Sequence, residues 1–234
     1  MLKPNRITNT VEAEITENLG RQFKVTTVFA WDNVSKHYRS GKGRVEVPRS
    51  REVRSALQIG TRAKVDMEAI SLKLRRGLIS LEEWQIQMAR AIKSQHIAQL
   101  GLARGGVFSM APADQARAAE MIKFQLEKLV GFAEGIKSGK VNLNSKKFMT
   151  RAKMYGDAGK TTYWQGVRQN SLELGMTEER NILGATEQHC VGCIDEEARG
   201  WVKIGELIPV GARICLTNCL CNVIFRGPKG RKYQ

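Results

Sequence analysis

All five cysteines of this 234-residue chain lie between Cys190 and Cys221, and none precedes them. They read C-x2-C (Cys190, Cys193), then a long gap, then C-x3-C-x-C (Cys215, Cys219, Cys221). Two cysteines separated by two residues, closed by a second group downstream, is the spacing that gathers thiolates around one tetrahedral Zn²⁺. A tetrahedral ion needs four ligands, so the pattern predicts a structural zinc held by four of the five. Cys190 and Cys193 form the firm pair. Cys215, Cys219 and Cys221 compete for the remaining places, and His189 is a further candidate. Disulfides or free thiols would use the same residues differently. A catalytic zinc would need an open position and a general base. Asp195, Glu196 and Glu197 follow the first pair, but nothing in the pattern marks them as a base.

The rest of the chain must carry this cluster. Hydrophobic residues make up 42% and charged residues 26%, as in an ordinary globular protein. No run of 18 apolar residues occurs, which predicts no membrane partner, and no apolar signal core opens the chain. Net charge is +15 with a pI of about 9.9. Such a balance points to a polyanionic partner. Its spread along the chain predicts a basic face on a folded body, with Lys36, Arg39, Lys42 and Arg44 in one stretch and Lys146, Lys147 and Arg151 in another as phosphate-contact candidates.

Texture divides the chain into an arm with a basic hairpin (1–49), a helical body (50–175), a cysteine-rich β module (176–226) and a basic tail (227–234) expected to be flexible. His37 reads as a polar residue beside the hairpin turn. Ser50 is a candidate N-cap for a helix with an apolar stripe of Val53, Leu57, Ala63, Val65 and Ile70, interrupted at Gly60. Ser80-Leu81-Glu82-Glu83 fits a capping box, and the following helix places Trp84, Met88 and Ile92 on one face until Gly105-Gly106. A third helix starts near Pro112, with Ile122, Leu126, Leu129, Val130, Ala133 and Ile136 on one side. A fourth is expected from Ser145 to Leu174, with Gly156 and Gly159 permitting close packing or a kink. Short strands are expected at 181–184, 201–204 and 222–225, with a β-rich loop over 196–214. The fold class is therefore mainly α: an elongated helical body with an N-terminal basic hairpin and a small zinc-knotted β module. Nucleotide-loop, dinucleotide, serine-hydrolase and H-E-x-x-H motifs are absent, and with three histidines in the chain a general base or triad has few places to live.

Tyr163-Trp164, Cys190-Val191-Gly192-Cys193, Gly200-Trp201, Pro209 and the closing Cys215 to Cys221 give residues 77–226 a further property. Together with Gly77 to Trp84 before the long helix, they make the chain resemble the minor head (head morphogenesis) proteins of tailed bacteriophages, the Mu minor head-like family. Cys215 stands near the place where many members carry a histidine, which implies a replacement ligand. The resemblance implies a structural protein of the virion head or neck and not an enzyme, assembled in the host cytoplasm. Its expected partners are portal or major capsid protein, other copies of itself, and packaged DNA bound through phosphates without sequence preference. A zinc-ribbon-like nucleic-acid-binding protein acting outside a particle is the alternative.

Overall fold

The computed structural model describes residues 30–40, 45–186, 188–215, 218–228 and 232–233. It is mainly helical, with two small antiparallel sheets and a cysteine cluster near the C-terminus. Strands β1 (Ala30–Asp32), β2 (His37–Ser40) and β3 (Val45–Glu46) form the first sheet, with Trp31 opposite Tyr38. The turn carrying Lys42 and Arg44 lies outside the described residues.

Helix α1 (Arg49–Arg75) starts behind Pro48, one residue before the expected cap, and the Pro48 carbonyl accepts from Arg51 N–H at 2.8 Å. Gly60 does not interrupt it. A Cβ on Gly60 would stand 3.2 Å from the Gly156 carbonyl, and one on Gly156 would stand 2.6 Å from the Lys64 backbone nitrogen. Backbone meets backbone where α1 crosses α4 (Lys146–Asp157). Ala63 and Met67 are buried near that crossing and Ala56 and Ile59 in the cluster with Tyr163 and Trp164, while the predicted stripe residues Leu57 and Val65 stand 40% and 51% exposed.

Helix α2 (Leu81–Arg104) opens with Ser80 Oγ accepting from Glu83 N–H at 3.1 Å. It closes at Gly105, whose φ of 83° belongs to the left-handed region and whose missing Cβ makes room for the Trp31 ring. Helix α3 (Pro112–Lys137) carries proline in its first turn, as predicted, and Asp114 Oδ2 accepts from Ala111 N–H at 3.0 Å. Leu129, Phe132 and Ala133 are its inner residues toward α2; the expected Val130 is 49% exposed.

The expected fourth helix is two helices. After α4 the chain breaks at Ala158 and continues as α5 (Gly159–Glu173). Gln95 Nε2, from fully buried α2 surface, donates to the Tyr155 carbonyl beside the break. A side-chain amide thus supplies a bond at a carbonyl that a continuous helix would pair with its own backbone.

In the last quarter, β4 (Glu178–Ile182), β5 (Val202–Lys203), β6 (Asn222–Arg226) and β7 (Lys232–Tyr233) form a sheet ordered β5-β4-β6-β7. β7 belongs to the tail expected to be flexible; it pairs with β6, Tyr233 opposite Phe225. The stretch after Cys190 is not all β. Helix α6 (Val191–Ala198) starts there, with Cys190 as N-cap.

Two large interiors result, beside a small one of Leu100, Met110 and Ala118. Trp84, Met88 and Ile92 meet Phe132 and Phe148 between α1, α2, α3 and α4. A second cluster joins Tyr38 and Val47 of the hairpin region, Ala56 of α1, Leu102 of α2, Tyr163, Trp164 and Val167 of α5, and Cys193, Cys219, Cys221, Val223 and Phe225. The cysteine-rich segment therefore shares its core with the hairpin and the body. No helix among the described residues is long and apolar enough to cross a membrane.

Candidate metal centre

The C-x2-C places its two sulfurs through a helix start. Cys190 has extended backbone and caps α6, and Cys193 N–H returns to the Cys190 carbonyl at 2.9 Å. Cys193, 3% exposed, lies on the inner face of that helix. Asn181, fully buried in β4, donates to the Cys193 carbonyl at 3.2 Å and so ties α6 to the sheet. From the other side come Cys215 and the buried Cys219 and Cys221, the last adjoining β6.

Cys193 Sγ lies 3.5 Å from Cys215 Sγ and 3.6 Å from Cys219 Sγ. Two triads have all their sulfurs within 4.8 Å of one another: Cys190, Cys193 and Cys215, and Cys193, Cys219 and Cys221. A tetrahedral site with Zn–S bonds of about 2.3 Å has sulfurs about 3.8 Å apart. Within each triad the sulfurs are close enough to share one ion, with Cys193 common to both; among the described residues no four sulfurs all lie within 4.8 Å of one another, so a fourth ligand requires a side-chain shift. All five predicted cysteines are brought together; His189 joins neither triad.

The thiols divide in acidity. Burial raises Cys190, but the Cys215 and Cys193 thiols and the backbone N–H groups of Cys193 and Cys215 outweigh it and bring it down to about 7. Burial pushes Cys193 far up, helped by hydrogen bonds from its sulfur neighbours, and takes Cys215 up to about 12. Cys219 is lowered: burial opposes, and the Cys221 N–H and neighbouring thiols prevail. Close thiols that share protons so unevenly are groups from which a metal can displace protons on binding.

The nearby carboxylates have other duties. Glu196 is buried; its Oε2 accepts from Ile208 N–H at 3.1 Å and pairs with Arg199 at 3.4 Å. Glu197 pairs with Arg180 at 3.1 Å. The hollow beside Cys221, lined by Ala56, Lys160, Tyr163 and Trp164, holds about 30 Å³, room for little more than water. This arrangement suits a closed structural site.

Three polar residues around the cluster escaped the sequence reading. Glu179, fully buried, takes both Arg168 Nε at 2.9 Å and the N–H groups of Gly205 and Leu207. Lys160 donates to the Cys219 carbonyl; burial lowers its pKa, against the pull of Cys219 and Asp157. Arg213 donates to the Ile208 carbonyl at 2.9 Å and Asn181 Oδ1 at 2.7 Å. Only a single cation within the apolar run from Ile208 to Cys215 could have flagged Arg213.

The phosphate-contact candidates fare unequally. Lys36 pairs with Glu173 at 3.2 Å and Arg39 with Asp32 at 2.8 Å, so the described part of the hairpin is partly neutralised. His37 is not a turn residue but a buried one, between Glu46 at 3.4 Å and Glu52 at 3.6 Å. Arg151 lies over the Phe132 ring at 4.3 Å. Lys146 and Lys147 are exposed in the first turn of α4, where no acidic residue stands. Cations there oppose the helix dipole, so helix stability does not account for them. The positive charge is also not spread evenly: residues 176–226 hold seven acidic and five basic residues.

Comparison of the chain with protein-family models, with curated proteins and with solved structures finds no match.

Proposed function

We propose that this chain is a structural protein of a tailed-phage head or head–tail connector. It docks on portal or capsid protein, supports DNA packaging, retention or delivery, and has its C-terminal segment knotted by one structural zinc. The observation that carries the reading is the convergence of five sulfurs on Cys193. An all-sulfur donor set at this spacing favours zinc over harder ions. Four of Cys190, Cys193, Cys215, Cys219 and Cys221 would hold the ion, and its binding energy would serve folding. The residues behind the family resemblance support the assignment. Tyr163 and Trp164 pack in the same cluster as Cys193, and Arg226 covers the Trp201 ring at 4.4 Å.

The test has two parts. Metal content and free thiols are measured on protein purified without a histidine tag, and portal and capsid proteins are then offered as binding partners. One zinc per chain with stable co-assembly is the expected result. Five free thiols without metal, or four oxidised ones, would remove the zinc knot. Failure to join either particle protein would remove the virion role.

The net charge of +15 favours a second reading, a zinc-ribbon-like protein that binds nucleic acid outside any particle. Salt-sensitive DNA binding is common to both readings, so co-assembly is what separates them.

A further inference from the structure

Arg213 is 2% exposed. Its oxygen partners are neutral, the Ile208 carbonyl and Asn181 Oδ1, its third hydrogen bond goes to Cys193 Sγ, and Nη2 has no hydrogen-bond partner among the described residues. No carboxylate pairs with it among those residues. Two other arginines are treated differently: the buried Arg104 meets Asp114 at 2.9 Å and also Glu173, and the partly buried Arg168 meets Glu179 at 2.9 Å. A buried guanidinium without an anion is strongly unfavourable.

A sulfur within reach can carry the missing charge. Arg213 Nη1 stands 3.9 Å from Cys193 Sγ, the sulfur common to both triads. Thiols and disulfides are neutral and would leave Arg213 uncompensated. Four thiolates on one divalent ion carry a net charge of −2. A second cation is also in place, Lys160, partly buried with Nζ on the Cys219 carbonyl.

We propose that the centre is an anionic tetrathiolate metal site and that Arg213, seconded by Lys160, is its internal counter-ion. The inference rests on the zinc reading above and extends it. It specifies the charge of the site, and it assigns to a residue that binds no metal the role of setting how firmly the metal is held. Arg213 is a positioning residue: it also fixes Asn181, which holds the Cys193 carbonyl.

The full-length protein is loaded with zinc, and release to excess chelator is timed for the wild type, Arg213→Met and Arg213→Lys. Parallel samples are loaded with Co²⁺, whose sulfur-to-metal charge-transfer absorption counts thiolate ligands. Arg213→Met should release zinc roughly 10- to 100-fold faster, the usual cost of losing an outer-shell partner. Arg213→Lys, which keeps the charge, should stay close to the wild type. The Co²⁺ absorption of the wild type should correspond to four thiolates. Equal release from Arg213→Met and wild type, or fewer than four thiolates, overturns the proposal while leaving a zinc site in place. A wild type that takes up neither metal overturns the zinc reading itself. If circular dichroism shows Arg213→Met unfolded, Arg213→Lys decides. Wild-type-like release supports the counter-ion role, and release as fast as from denatured chain overturns it.

Discussion

Between α1, α2, α3 and α4 the interior is mostly hydrocarbon and aromatic, with one buried polar contact from Trp84 Nε1 to Ser71 Oγ at 3.1 Å. Trp84 meets Phe132 edge-on with ring centres 5.5 Å apart, and Phe132 meets Phe148 at 5.7 Å. Around the cysteines the apolar cluster is threaded by buried polar groups. Glu179, Asn181, Glu196 and Arg213 are all buried there, each with directed partners. Apolar packing is non-directional and loses stability in proportion to the atoms removed. A buried polar network loses far more when one member goes, because the others are left unpaired. The first interior should therefore yield gradually to substitution, and the second abruptly.

The strongest way to break that contrast is Cys193→Ser. It removes the sulfur common to both triads, and zinc content should fall from one per chain to near zero. Hydrogen exchange should rise over residues 176–226, and also over 31–47, because Tyr38 and Val47 share the cluster. The Trp84 cluster should keep its protection. Exchange confined to 176–226 would show that the segment is more independent than its shared core implies.

Trp84→Ala comes next. Removing a fully buried indole should cost about 3–5 kcal/mol of global stability, read by urea denaturation, with zinc stoichiometry unchanged. Loss of zinc in this variant would deny that the two interiors are separable.

A smaller effect comes from His96 on α2, fully buried with Nδ1 2.7 Å from Thr162 Oγ1. Burial holds its pKa down at about 4, against 6.5 in the unfolded chain. The unfolded state therefore binds more protons between those values. This stabilisation is fully present above pH 6.5 and is lost as pH falls towards 4, at up to about 1.4 kcal/mol per pH unit. Denaturation at pH 7, 6 and 5 should show that slope, and His96→Gln should flatten it.

The smallest change is expected at the surface. Lys146→Ala and Lys147→Ala should each lower the salt slope of DNA binding by about one, with folding and zinc content unaltered. An unchanged slope would remove the start of α4 from the DNA-contact surface.

Much of this was legible in the residues. Ser80, Pro112 and Gly105 mark helix ends through backbone chemistry that acts locally, and all three stand where the pattern put them. The gathering of the five cysteines was legible too, since their spacing is itself the signal. What failed depends on distant partners. Leu57 and Val65 suit a helix stripe, but the close crossing at Gly60 and Gly156 turned small residues inward instead. The break at Ala158 relies on Gln95, 60 residues away from the carbonyl it bonds. His37 looked like turn chemistry until Glu52 of α1 closed over it. Arg213 has no local signature, since its role comes from the sulfurs it faces.

The shared core also has a consequence for synthesis. Tyr38 O–H bonds the Leu102 carbonyl at 2.9 Å, yet the cluster around that pair is completed by Cys219, Cys221, Val223 and Phe225. Synthesis runs from the N-terminus, so the hairpin emerges well before those residues. Until they emerge, Tyr163 and Trp164 lack their covering neighbours and offer an adhesive aromatic face to other nascent chains. Pairing of β6 with β4 therefore also removes that face from solvent.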